Sequence, residues 1–236
     1  MSSRLLSCLF AASALLSVGC DDSTGLSDSE AANVRVINAS QAAGEVDVVV
    51  DGNVQTDASD LTFRDASRQC VRVDADTPEL TFQQTGGTAS IPAQTFVFDN
   101  GGRNTVVVAG TSAGNLRVLT ISDPLTPELD ENEARIRVVN GRATTAMNVT
   151  VTPWDATPGT PQTITATNTA TAATGWVEVP AGEPVAVRLT TTTGTQIDVL
   201  NVFPNPGQEL IIVAAETGAG QTGPVQWIVT TACSRP

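Results

Sequence analysis

The sequence predicts an all-β protein in which two antiparallel β-sandwich domains follow one another along the chain. Three observations predict this fold: apolar residues alternate with polar ones, turn signals separate the alternating runs, and the pattern of the first half recurs in the second. The chain has 236 residues, enough for one large domain or two small ones. No long stretch shows the periodicity of an α-helix.

The alternation has a period of two residues and is clearest in Val- and Thr-rich runs. Val71 and Val73 flank a polar residue in the first half, and Ile136 and Val138 do so in the second. A strand with this pattern turns one face towards a core and the other towards water. Turn signals such as Asp51-Gly52 lie between the runs.

The repeat is visible because VRVIN at 34–38 recurs as IRVVN at 136–140. Each copy spans roughly a hundred residues, the size of a small β-sandwich. We therefore predict a first sandwich over residues 31–122 and a second over 133–236. Between them, residues 123–132 are acidic and contain two prolines, which is typical of a linker.

The first twenty residues are typical of a bacterial export signal. Arg4 precedes an apolar stretch that is too short to span a bilayer, which indicates a signal peptide over residues 1–19. The signal ends in LSVGC at 16–20, which resembles the lipobox of bacterial lipoproteins. In that class the signal is removed before the cysteine, and the new N-terminal Cys20 is acylated. An ordinary secretory signal is the alternative.

An acylated Cys20 would hold the protein on a membrane, because several acyl chains on one residue make a stable anchor. Residues 20–30 are polar, without a folding pattern, and would form a flexible tether. We therefore expect an exported, lipid-anchored protein of the bacterial cell envelope, at the periplasm or beyond. Asp21 favours inner-membrane retention in some bacteria, and the sequence leaves open which membrane and leaflet carry the anchor.

Two cysteines remain once the signal is removed and Cys20 is acylated. In an exported chain, Cys70 and Cys233 most often pair with each other. Two free thiols, or a bridge between two molecules, are the alternatives that the sequence leaves open.

The composition excludes several classes of function. The chain has no histidine and no lysine, so it can build neither a Ser-His-Asp relay nor a Schiff base. Its formal net charge of −13 disfavours a nucleic-acid groove, which needs clustered cations. We therefore predict no enzyme, no catalytic residue, no cofactor and no nucleic-acid partner.

Two motif matches and one cluster of oxygen-bearing residues have simpler explanations than a catalytic or metal site. GTSAG at 110–114 matches a serine nucleophile motif, and GAGQTG at 218–223 matches a dinucleotide fingerprint. Strand-like sequence follows both matches where the motifs require a helix, so we predict hairpin loops. The oxygen-bearing residues of 51–60 lack the glycine of an EF-hand, because Thr56 stands at its sixth position. No metal site is predicted, and calcium binding by a loop stays open.

One aromatic residue is a candidate for ligand contact. Trp154 lies in the predicted loop TPWDATPG, whereas Trp176 and Trp227 lie on predicted strands, where packing is the default. An exposed tryptophan is typical of a surface that binds glycans.

The first half also resembles a known family. NVRVINAS at 33–40, VDVVVDG at 46–52 and NTVVVAG at 104–110 are similar to the domain-of-unknown-function family DUF4397. The second half resembles it more loosely. The resemblance implies an immunoglobulin-like β-sandwich, often in tandem, in secreted or lipid-anchored bacterial proteins. The family has no assigned chemistry, so the resemblance implies no catalytic residue.

Together these observations predict a non-enzymatic, lipid-anchored envelope protein whose sandwiches display a binding surface or act as spacers. The ligand is unknown, and an envelope protein or a glycan is the expected partner. The alternative is a lipoprotein that binds a glycan or a small solute, and a hydrolase using only carboxylates or calcium is the third hypothesis.

Overall fold

The structure is a computed structural model that describes most of the chain after the predicted tether. The described residues are 27, 30–76, 78–85, 91, 96–123, 127–142, 146–154, 156–164, 172–215 and 225–234. The predicted signal peptide at 1–19, the predicted lipidation site Cys20 and the glycine-rich match at 218–223 lie outside them. Within these ranges the regular elements are β-strands and three short 3-10 helices. The prediction of an all-β fold is confirmed.

In its described residues, the first half is a sandwich of seven strands, and its two sheets enclose a core that includes Val36, Phe82 and Val108. One sheet has the order β4-β1-β6-β7 and the other β3-β2-β5. The strands are β1 (Ala31–Asn38), β2 (Val46–Val50), β3 (Asn53–Val54), β4 (Val71–Asp74), β5 (Leu80–Gln84), β6 (Arg103–Ala109) and β7 (Arg117–Asp123).

The second half repeats this architecture around a core that includes Ile136, Leu189 and Ile212, and over the described part of the chain it has one additional strand. Its sheets have the orders β11-β8-β14-β15 and β10-β9-β12-β13. The strands are β8 (Glu133–Asn140), β9 (Met147–Pro153), β10 (Gln162–Ile164), β11 (Val177–Pro180), β12 (Val185–Thr191), β13 (Gln196–Val202), β14 (Glu209–Ala215) and β15 (Gln226–Thr231).

One pair of strands in each half departs from the predicted antiparallel pattern. β1 runs parallel to β6, and β8 runs parallel to β14. The chain leaves β1 for the opposite sheet and returns, so that β6 enters at the same end. Alternation along a strand does not distinguish a parallel neighbour from an antiparallel one, because both leave every second residue on the same face.

A third apolar core joins the two halves, and we call this layer the seam. It lies between the sheets β4-β1-β6-β7 and β11-β8-β14-β15 and contains the buried residues Ile37, Val107, Ile121, Val139, Ile211, Val213 and Ile228. The four sheets are therefore stacked, and β1, β6, β8 and β14, the central strands of the two inner sheets, are buried on both faces over most of their length. The expectation that every strand turns one face to water is wrong for β1, β6, β8 and β14.

Asp123, which the sequence assigns to the linker, is the last residue of β7 and only 2% exposed. Its carboxylate pairs with Arg137 across the seam. A disulfide between Cys70 and Cys233, 163 residues apart, also joins the two halves. The halves are thus held by apolar packing, a buried ion pair and a covalent bond.

Candidate binding surface

The outward face of the sheet β10-β9-β12-β13 ends in a row of three apolar residues. In this sheet Val185 is the neighbour of Pro153 on one side and of Val202 on the other. Val185 and Val202 are buried in the core of the second half. Because successive side chains of a strand point to opposite faces, the next position in each strand points outward.

The residues at that next position are Trp154, Pro184 and Phe203, which we call the aromatic row. The backbone N–H of Trp154 donates to the carbonyl of Pro184 at 3.0 Å, so the strand register continues one step beyond Pro153. Adjacent strands lie about 4.8 Å apart, which places the backbones of Trp154 and Phe203 about 10 Å apart. Trp154 is 72% exposed and Phe203 is 68% exposed.

The loops that carry the aromatic row are tied to each other by backbone hydrogen bonds. Gly182 N–H, in the turn between β11 and β12, donates to the carbonyl of Pro204 at 2.8 Å. Gly182 has a φ of 76°, a left-handed conformation that glycine adopts readily. Pro153, Pro184 and Pro204 each have a fixed φ, which restricts the same loops further. The row is therefore presented by a constrained backbone.

Beyond the aromatic row, the outward face of this sheet is mainly polar. The next register row contains Thr152, Ala186 and Asn201, and the one after it contains Thr150, Arg188 and Val199. Arg188 is exposed, and its Nη1 donates to Gln196 Oε1 at 3.2 Å. The surface thus combines two exposed rings with hydroxyl, amide and guanidinium groups that can form hydrogen bonds.

The buried charged side chains at the seam pair with one another and with backbone carbonyl groups. Arg137 Nη1 donates to Asp123 Oδ1 and, at 2.8 Å, to the carbonyl of Ser122. Burial raises the pKa of the Asp123 carboxyl, an effect that Arg137 and a 3.0 Å hydrogen bond from Thr105 Oγ1 oppose. Arg103 and Arg135 surround the carboxylate of Glu209. These groups connect the halves and present no pair of facing acids to a substrate.

Two of the motifs singled out in the sequence begin in turns or loops. Ser112 of the 110–114 match lies in the β6–β7 hairpin loop, next to a short 3-10 helix. Asp51 lies in a turn with a φ of 50°, and its carbonyl accepts from Asn53. Over the described part of the chain, no three acidic or cysteine side chains are close enough together to hold a metal ion. None of the described helices is long and apolar enough to cross a bilayer.

Sequence reasoning identified Trp154 but missed Phe203 and the arginines at the seam. Phe203 follows Val202, the last residue of β13, so the alternation of that strand could have placed it on the outward face. The arginines carry no such signal, because strand alternation alone does not show that the outer side of an inner sheet is covered.

The comparisons with known proteins identify the family of the chain. The chain is similar to the crystal structure of a candidate cell adhesion protein from Bacteroides ovatus, with 10% identity and a TM-score of 0.20. That similarity covers 85% of this chain and 95% of the other. Among curated proteins, none matches this sequence. The profile of the family described as a domain of unknown function (DUF4397) matches residues 32–152, from β1 into β9. The chain belongs to the DUF4397 family.

Proposed function

We propose that this protein is a non-enzymatic, lipid-anchored component of the bacterial cell envelope that binds a partner through the outward face of the sheet β10-β9-β12-β13. The observation that carries the binding role is the aromatic row, which leaves two large rings in water on a face whose other residues are mainly polar. Soluble proteins rarely leave grouped apolar side chains exposed without a binding role. The absence of histidine and lysine from the sequence supports a role without catalysis.

The order of the sheets suits a display role. The tether would lead into β1, which belongs to the second of the four stacked sheets. The aromatic row belongs to the fourth sheet, two layers away, and packed sheets are about 10 Å apart. Anchoring through Cys20 would therefore leave the row about 20 Å from the sheet that the tether enters. The seam and the Cys70–Cys233 bond would keep this spacing constant.

The anchor is tested by the substitution Cys20→Ser in the producing bacterium. We expect the wild-type chain to incorporate a fatty-acid probe and to sediment with membranes, and the variant to do neither. Cys8→Ser is the matched control, because Cys8 would be removed with the signal peptide. Equal labelling of wild type and Cys20→Ser would contradict the anchor.

A glycan is the partner that the chemistry of the surface favours. The C–H faces of sugar rings pack on aromatic rings, while their hydroxyl groups form hydrogen bonds to residues such as Arg188 and Asn201. We expect wild type to bind members of a glycan array, and Trp154→Ala and Phe203→Ala each to lose that binding. Val97→Ala is the matched control, because Val97 is also exposed, at 83%, but belongs to the other half.

An array without binding would contradict the glycan, and crosslinking on intact cells then tests whether the partner is a protein. In that case the crosslinks should map to the sheet that carries Trp154 and Phe203. Crosslinks confined to the first half would contradict the proposed binding surface.

A further inference from the structure

The three residues of the aromatic row stand on neighbouring strands and form a line across the sheet. Trp154 follows β9, Pro184 precedes β12 and Phe203 follows β13, so each is one strand away from the next. Adjacent strands are about 4.8 Å apart, which is close to the length of one sugar unit in an extended glycan chain. Pro184 is partly exposed and stands between the two aromatic residues. The row therefore offers three apolar positions at the repeat distance of such a chain.

A single sugar ring is too small to use the whole row. The backbones of Trp154 and Phe203 are two strand spacings apart, about 10 Å. One sugar ring is about as wide as one aromatic ring, so it covers one of these two side chains and not both. Contact with both rings therefore requires a chain of at least three units, with the middle unit over Pro184.

The outward face beside the row has little charge. The row and the two register rows beyond it contain one charged side chain, Arg188. Arg188 is four residues from Pro184 along β12, about 13 Å at about 3.3 Å per residue, and it donates to Gln196. Glu183 is exposed beside Pro184, and the chain has a formal net charge of −13, so both disfavour an acidic ligand at the row. The surface therefore fits a neutral chain better than one with carboxylate or sulfate groups.

We infer that the aromatic row binds a neutral, linear glycan chain that runs across the strands with at least three consecutive sugar units in contact. The inference rests on the proposed function and adds to it the length, charge and direction of the ligand. Packing on aromatic rings supplies binding energy without an ion pair. Thr152 and Asn201, in the next register row, supply hydrogen-bonding groups for the hydroxyls of the same units.

The test is titration calorimetry on the purified full chain with neutral oligomers of glucose, N-acetylglucosamine, mannose and galactose. We expect at least one series to bind, its trisaccharide about tenfold or more tighter than its monosaccharide, because the longer chain packs on a second ring. The step from trisaccharide to hexasaccharide should add less, since the row has three positions. Raising the salt concentration should not weaken binding, because no ion pair is involved. Oligomers of glucuronic acid should bind more weakly than neutral oligomers of the same length.

Variants of the two rings connect this length dependence to the row. Trp154→Ala and Phe203→Ala should each weaken trisaccharide binding about tenfold or more, whereas Trp154→Phe keeps a ring and should retain more of it. Val54→Ala, at a residue of the first half that is 46% exposed, is the matched control and should bind as wild type. Because Trp154 and Phe203 are exposed, neither variant should move the unfolding midpoint.

The outcomes separate this inference from the proposed function. A trisaccharide that binds no tighter than its monosaccharide, or an acidic oligomer that binds tighter than the neutral one, would overturn the inference while glycan binding stands. Wild-type affinity in Phe203→Ala would overturn it as well. If no glycan binds, either here or on the array, both this inference and the proposed glycan partner are wrong.

Discussion

Because of the seam, we expect truncation of either of two adjacent isoleucines of β14 to destabilise the protein. Ile211 and Ile212 point to opposite faces of the strand, and both are completely buried. Ile212 packs in the core of the second half, and Ile211 packs in the seam. If the two halves were independent sandwiches, one of these side chains would face water, and its truncation would change stability by less than about 0.5 kcal/mol.

With the seam present, both truncations create a cavity. We expect Ile211→Ala and Ile212→Ala each to lower the free energy of unfolding by about 2–5 kcal/mol, the range for a buried isoleucine. Urea denaturation followed by tryptophan fluorescence measures both. Val229→Ala on the neighbouring strand β15 is the control, because Val229 is 45% exposed, and it should cost less than about 1 kcal/mol. A loss below about 0.5 kcal/mol for Ile211→Ala would refute the seam.

Two further predictions concern the covalent and ionic contacts of the seam. The Cys70–Cys233 bond closes a segment of 163 residues, so the double variant Cys70→Ser/Cys233→Ser should lose up to about 5 kcal/mol in denaturant unfolding, and an unchanged midpoint would contradict it. Burial raises the pKa of Asp123 above the ordinary aspartate value of 3.8. Just above pH 3.8 the unfolded state has therefore released this proton, whereas the folded state still holds it. The free energy of unfolding of wild type should therefore fall relative to that of Asp123→Asn as the pH rises from 3.8 to the folded-state pKa. If the free energies of unfolding of the two proteins change in parallel with pH, the prediction is wrong.

The candidate binding surface was predictable in part. Trp154 stands in a segment rich in turn-forming residues, and such segments leave side chains exposed. Phe203 is exposed for a different reason, because it is one step past the last inward residue of β13. That the two rings share one face depends on β12, which lies between β9 and β13 and sets the register of both. Strand order of this kind is not encoded in any single segment.

The sequence by itself determined where strands form, because the two-residue alternation and the turn residues act locally. It also contained an unused signal for the seam: the near-continuous apolar runs of β6 and β14 are typical of strands buried on both faces. Only the tertiary structure decided which sheets cover each other and which arginine meets a carboxylate. The physical reason is that burial of an outer face and pairing of a charge depend on residues of different strands, such as Arg137 with Asp123.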